Sequence, residues 1–225
     1  MVRAGVETCY HLPWNVFGLT GIPTAGAKAG EGKPFYFTEK QVRAILNAFI
    51  GRPTWDAFFH LLAYSGLRSG EILGLRRGDV DLETGTITIQ QAAWHGKIQT
   101  VKTTESENTL PIPPIVVEKL RAHLLTHNHE LVFVNRRGRP YSRNKVVQTV
   151  LQSVVDKLGI SRKARRCGLH AFRHTALSIL FRLAGPVIAQ RHGRHTDVAT
   201  TMKYGHTLGN DHRQAVEALE SVFSK

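Results

Sequence analysis

The chain has 225 residues, 42% of them hydrophobic, which is enough for one domain with its own core or one domain plus a fragment. Lys and Arg outnumber Asp and Glu by 30 to 17, a net charge of +13. Such an excess favours a polyanionic partner, because each phosphate contact releases condensed counterions. The composition argues against a disulfide scaffold or a zinc ribbon, since Cys9 and Cys167 form no paired spacing. No apolar run reads as a secretory leader, and none reaches the roughly 18 residues of a membrane span. The simplest address is a reducing, cytoplasmic interior, where genomic DNA also lies.

Residues 1–35 differ from the rest. The stretch from Gly21 to Pro34 is rich in Gly, Ala and Pro and has no hydrophobic period, so it reads as a linker. The folded part, 36–225, is expected to be a single α+β domain, mostly helical with a small three-stranded antiparallel sheet.

Thr38 followed by Gln41 fits a capping box, and Val42, Ile45, Leu46 and Phe49 mark one face of the first helix. Thr54 to Ser65 is a second, largely apolar helix that Gly66 ends. Ser69 is suited to cap a short third helix through Leu75. Asp81 to Gly85 has turn chemistry, and Thr86 to Gln90 alternates as a strand does. Lys97 to Lys102 and Thr109 to Ile112 complete the expected sheet.

Pro113 and Pro114 suit the first turn of a helix running to about His127. Leu131 to Val134 is a short buried segment. Ser142 is expected to cap a helix reaching Leu158, with Gly159 as its stop. Further helices are expected from about Leu169 to Leu183, around Ile188, from Asp197 to Tyr204, and from about Asp211 to Phe223.

Three segments carry chemistry. In Ser65-Gly66-Leu67-Arg68-Ser69-Gly70-Glu71, an arginine stands between two helices with glycines on either side. A phosphate can approach the backbone closely there, and Glu71 could hold the guanidinium from behind. A helix-capping arginine with a local salt bridge is the plainer alternative. In Leu169-His170-Ala171-Phe172-Arg173-His174-Thr175, His170 and Arg173 share a helical face. Arg173 offers a planar fork to two phosphate oxygens, and His170 can donate a hydrogen bond or move a proton near neutral pH. A wet surface stripe would look the same. In the segment from His195 to His206, Tyr204 ends a short helix and Gly205 lets the chain turn.

The ordered set resembles the catalytic domain of the tyrosine recombinases, also called the phage integrase family. The likeness runs from about Phe37 to the C-terminus. It includes Val101-Lys102-Thr103 on a hairpin, Leu131-Val132-Phe133, Gly138-Arg139-Pro140-Tyr141-Ser142, and His195 nine residues before Tyr204. The resemblance implies a site-specific DNA recombinase or integrase of bacterial, phage or mobile-element type. Arg68 and Arg173 would grip the scissile phosphate, His170 and His195 would hydrogen-bond it, and Lys102 would protonate the departing 5′ oxygen. Tyr204 would attack, leaving a 3′-phosphotyrosyl link, with no metal or other cofactor. The partner implied is double-stranded DNA, held by a homo-tetramer.

The chain departs from the family's pattern in three places. Gly193-Arg194-His195 stands where Leu-Gly-His is usual, and the segment before it is short, which leaves His192 as a rival to His195. Glu105, Glu107 and Asn108 follow Lys102 where basic residues are common. The family's N-terminal clamping domain is expected to be missing ahead of the catalytic part, with residues 1–35 as its trailing end. The altered segment motivates a second reading, a DNA-binding member with impaired catalysis. A metal-dependent nuclease and a monomeric type IB topoisomerase are further alternatives.

Two basic clusters read as DNA-backbone contacts: Arg136, Arg137, Arg139, Arg143 and Lys145, then Arg162, Lys163, Arg165 and Arg166. His123 and His127 share a helical face and His129 follows, but no cysteine joins them, so no metal site is expected.

Overall fold

The computed structural model describes residues 35–94, 96–100, 109–160, 167–194, 198–202 and 204. The chain enters the fold through Phe37, whose backbone N–H donates to Thr175 Oγ1 at 3.0 Å, 138 residues further along. Helix α1 spans Glu39–Asn47. Its capping box is complete: Gln41 N–H donates to Thr38 Oγ1 at 3.2 Å, and Thr38 N–H donates to Gln41 Oε1 at 2.9 Å.

Helix α2, Pro53–Ser65, begins on a proline whose missing N–H costs nothing in a first turn. Phe58, Phe59, Leu61 and Leu62 are all fully buried, so this helix is apolar nearly all round and lies at the centre of the domain. It packs against α1, α4 and α7. Phe49 stacks on Phe59 with ring centroids 4.2 Å apart, Phe58 meets Phe133 at 5.1 Å, and Phe59 meets Phe172 at 5.6 Å. These rings fix the end of α2 relative to α7, and so position the two segments that carry arginines.

Helix α3 spans Ser69–Gly74. The cap expected at Ser69 falls one residue earlier, on Arg68. Glu71 reaches back to accept the Arg68 backbone N–H at 2.8 Å, which closes the helix start without a hydroxyl. A 3₁₀ turn, Arg77–Asp79, leads into β1, Val80–Asp81. Asp81 Oδ1 accepts from Glu83 N and Thr84 N at 2.9 and 3.0 Å and shapes the turn before β2, Thr86–Thr88.

The sheet differs from expectation. Strand β3, Gln91–Trp94, pairs with β4, Lys97–Thr100, as a separate antiparallel hairpin. The three-stranded sheet has the order β1-β2-β5, with β5 at Thr109–Pro111 and Ile87 opposite both Val80 and Leu110. Gln91-Ala92-Ala93-Trp94 has little strand propensity of its own. It is held by α3: Gln91 Nε2 donates to the Gly74 carbonyl at 2.7 Å, and a Cβ on Gly74 would stand 2.9 Å from Ala92 backbone atoms.

Helix α4 spans Pro114–Leu124 and stops short of His127. Thr126 Oγ1 donates to the His123 carbonyl and Arg77 Nη2 to the Leu124 carbonyl, both at 2.7 Å, which satisfies the C-terminal acceptors early. Val132 and Phe133 are fully buried, as the short apolar run suggested. The helical run after Ser142 comprises α5, Arg143–Lys145, a π-wound stretch, Val146–Leu151, and α6, Gln152–Lys157. Ser142 occupies the cap position, but its hydroxyl makes no capping bond. Thr149 instead bonds back to the Lys145 carbonyl at 2.7 Å, a contact that bends helices.

Helix α7, His170–Gly193, is two helices joined across Gly185, with Pro186 starting the second part. The expected helix to Leu183 and the short one around Ile188 therefore abut. Helix α8, Val198–Met202, ends before Tyr204, which lies in the following turn. The last expected helix, 211–223, lies outside the described residues. Among the described residues no helix is long and apolar enough to cross a membrane.

Candidate active site

The end of α2 builds one wall. Gly66 takes the left-handed backbone at φ 59°, a conformation that would strain any other residue, and the chain swings directly into α3. Arg68 sits at that joint. Its Nη1 donates to Glu71 Oε1 at 3.1 Å while its backbone N–H holds Glu71 Oε2. The Arg68 side chain is 48% exposed and that of Glu71 only 6%, so the arginine is the partner with room to move.

Helix α7 supplies the other wall. Arg173 is 2% exposed, and its Nη1 donates to the Gly66 carbonyl at 2.7 Å. Its Nη2 donates to the Gly193 carbonyl. The guanidinium thus ties the turn before Arg68 to the end of its own helix. Burial, and next the charge of Arg68, lower its pKa to about 10, which leaves it charged at neutral pH. His170, one helical turn earlier, is exposed as a residue. Its ring meets His174 edge to face at 4.5 Å. Partial removal of the ring from water, then the charges of His174, Arg173, Arg143 and Arg68, push its pKa down to about 4. Because the residue keeps an open side, the surrounding cations are the part of this shift that a bound anion would reverse.

Tyr204 is buried at 6% exposure, packed with Leu177, Phe181 and Ala189. Its hydroxyl lies 3.2 Å from His174 Nδ1. Burial raises the phenol's pKa, and the charges of Arg173 and Arg68 oppose that rise. Arg68, His170, Arg173 and Tyr204 therefore share one electrostatic neighbourhood. Lys102 and His195 lie outside the described residues. His192 is behind Gly66, and burial lowers its pKa.

Two members of this cluster were not singled out from the sequence. His174 follows His170 by four residues, so helical spacing alone put it on the same face. Arg194 was noticed only as a replacement for a glycine. Its backbone is left-handed, φ 49° and ψ 51°, a conformation costing a non-glycine residue about 1 kcal/mol or more. Its Nη2 stands 2.5 Å from Glu71 Oε2, with the side chain 11% exposed. The contact is a close ion pair. Burial lowers the pKa of Arg194, and Glu71 opposes this. Arg68, Arg173 and Arg194 act on one another around the single carboxylate of Glu71. Three positive charges less one negative leave an excess of two, a setting for an anion.

Of the basic clusters, Arg136, Arg137, Arg139, Arg143 and Lys145 are all exposed. The first three ride a tight turn in which Asn135 Oδ1 accepts from Arg137 N at 2.8 Å. Arg143 begins α5, which touches α3, so this stripe runs up to the arginine cluster. Arg162, Lys163, Arg165 and Arg166 lie outside the described residues. His123 and His127 both direct Nε2 at the Val132 carbonyl, at 2.8 and 3.0 Å. Among the described residues, no group of three His, Cys, Asp or Glu side chains is placed to hold a metal ion.

Residues 36–210 match the phage integrase family. A tyrosine recombinase XerC-like protein from Caldanaerobacter subterraneus subsp. tengcongensis is 25% identical over 218 residues, covering 83% of this chain and 54% of that protein. The chain thus spans little more than half the length of that relative. The crystal structure of XerA recombinase superposes with a TM-score of 0.63 at 23% identity, over 87% of this chain and 67% of that one. The Tn1549 transposon integrase in complex with transposon right end DNA gives 0.68 at 20% identity, over 86% and 68%. Both solved structures have the fold of this chain: mostly helical, with a small antiparallel sheet.

Proposed function

This chain belongs to the phage integrase family, and we propose that it is the catalytic part of a site-specific DNA recombinase that breaks and rejoins strands through Tyr204. The observation that carries the reading is the phenol of Tyr204 held 3.2 Å from His174 Nδ1 and within the field of both Arg68 and Arg173.

In the proposed reaction, Tyr204 Oη attacks the scissile phosphorus. The Oη–P bond forms as the bond to the 5′ oxygen breaks. The phenol proton passes to His174 Nδ1, and the departing oxygen takes a proton from Lys102. Arg68 and Arg173 face the non-bridging oxygens and offset the charge that grows in the pentacoordinate transition state. The donations of Arg173 to the Gly66 and Gly193 carbonyls fix the plane of its guanidinium for this task. His170 and His195 donate to the same phosphate. The phosphotyrosyl link retains the bond energy, so a 5′ hydroxyl reverses the step without ATP or a metal.

The substrate proposed is double-stranded DNA, with four copies of the protein on two duplexes and the stripe from Arg136 to Lys145 along the backbone. Residues 1–35 would connect to, or end, a further DNA-clamping domain, with the catalytic domain beginning at 36. The Tn1549 integrase bound to transposon DNA supports DNA as the partner.

The test uses a pool of nicked duplexes with a randomised core. A cleaved strand loses its short end and traps the protein on DNA. The expected result is a covalent adduct, insensitive to a chelator, that disappears in Tyr204→Phe. DNA binding that weakens with salt, with no adduct from the native chain, would establish instead the catalytically impaired reading. The Arg194 substitution before His195 motivates that alternative.

A further inference from the structure

Arg194 holds a backbone conformation that glycine adopts without strain, and its guanidinium is nine-tenths buried against a carboxylate that already has an arginine. Strain of this kind persists where the surroundings over-determine it. Here they do: the Arg194 N–H donates to the Arg191 carbonyl at 3.0 Å, and Arg173 grips the carbonyl of Gly193 just before it.

The two oxygens of Glu71 are divided between two arginines. Oε1 takes Nη1 of Arg68, at 3.1 Å. Oε2 takes the backbone N–H of Arg68 at 2.8 Å and faces Nη2 of Arg194 at 2.5 Å. Glu71 is 4% exposed. A buried carboxylate stripped of its cation is strongly disfavoured, so a lone Arg68 would be held in place by Glu71. With Arg194 present, the Arg68 guanidinium can leave Oε1 while Oε2 keeps both a backbone donor and a cation.

We propose that Arg194 is a positioning residue that holds the charge of Glu71, so that Arg68 is released to a phosphate oxygen of the bound strand. It acts through Arg68 and does not itself touch the phosphate. The proposal rests on the DNA-cleavage reading above for its biological meaning, but the switch of Arg68 between carboxylate and phosphate can be read without cleavage.

The experiment titrates inorganic phosphate into the full chain, followed by calorimetry, with circular dichroism and a cooperative melt as checks on folding. Arg194→Gly is expected to bind phosphate about tenfold more weakly, because Arg68 stays on Glu71. Arg194→Lys, which keeps the charge, recovers most of the loss. In an Arg68→Ala background, adding Arg194→Gly changes the affinity by less than about twofold, as a residue acting through Arg68 requires. Should Arg194→Gly not fold, Arg194→Lys against Arg194→Gln carries the same comparison. Undiminished binding in Arg194→Gly, or an equal loss with and without Arg68, overturns the proposal. The randomised nicked duplex is run in parallel. If the native chain forms no adduct while the phosphate pattern holds, the recombinase reading fails and the role of Arg194 stands. If adduct forms but the phosphate pattern fails, the reverse follows.

Discussion

The hydroxyl of Tyr204 and Nδ1 of His174 lie 3.2 Å apart, on elements separated by 30 residues of chain. With its proton on Nε2, the imidazole accepts the phenol's hydrogen bond and is placed to take its proton. Burial raises the phenol's pKa, so at neutral pH the free protein holds an inert, protonated nucleophile. Removing the base should therefore slow cleavage without loosening DNA. His174→Ala is expected to form the Tyr204 adduct about 10²-fold more slowly, at the low end for a general base, with affinity unchanged. Single-turnover adduct kinetics beside a gel-shift titration check this; equal rates would remove His174 from the proton path.

His170 gives a linkage prediction. Its pKa in the free protein is lowered to about 4, so it is neutral at pH 7. A phosphate beside it favours the imidazolium and raises that pKa. Between about 4 and the raised value, binding must take up protons, and affinity must increase as pH falls. His174 and His192 also lie in this cluster, so the control is His170→Gln, in which most of the uptake should vanish. Calorimetry in two buffers of different ionisation heat measures it directly. Identical uptake in the variant would assign the protons elsewhere.

What was legible in the sequence was local. Thr38 and Gln41 spell out a capping box because both partners lie within one turn, and Gly66 and Gly159 mark helix ends because only the backbone decides them. His170 and Arg173 were visible through helical spacing. The arrangement of the cluster was not legible, because it depends on contacts between distant elements. Arg173 reaches the carbonyl of Gly66 across 107 residues, and no local pattern encodes that. The pairing of Arg194 with Glu71 was hidden likewise, although the substitution of a glycine gave the signal. The hairpin at Gln91–Trp94 was missed because its strand character comes from packing on α3, not from its own residues.

The exposed turn bearing Arg136, Arg137 and Arg139 should contribute charge and not sequence choice. Each phosphate contact adds about 0.9 to the slope of log affinity against log salt. Replacing all three by Gln should flatten that slope by about 2 to 3 and weaken binding evenly across unrelated duplexes. A change confined to one DNA sequence would mean that these arginines read bases.

Gly74 is a packing prediction. A Cβ there would stand 2.9 Å from backbone atoms of Ala92 and Ala93, which cannot rotate away. Alanine improves helix propensity by up to about 1 kcal/mol, but overpacking against rigid backbone costs about 1–3 kcal/mol. Gly74→Ala should therefore lower the stability measured by urea unfolding, while Gly78→Ala, with nothing within 4 Å, should change it little.

His123 gives a prediction about stability in acid. It is 1% exposed, stacks on Phe133 with centroids 5.1 Å apart, and its Nε2 shares the Val132 carbonyl with His127. Burial lowers its pKa, the Val132 carbonyl opposes this, and the charges of His127 and Arg77 add to the lowering. A histidine with a depressed folded pKa binds fewer protons than the unfolded chain below about pH 6.5. Its stability contribution is thus complete above that value and falls as pH drops toward the folded pKa, at no more than about 1.4 kcal/mol per pH unit for one proton. In His123→Phe the ring still stacks on Phe133, and His127 remains to serve the Val132 carbonyl. Urea unfolding between about pH 7 and 5 should show a shallower loss in the variant than in the native chain. Parallel curves would place the acid sensitivity at His127 or in the arginine cluster, where burial also lowers the pKa of His192.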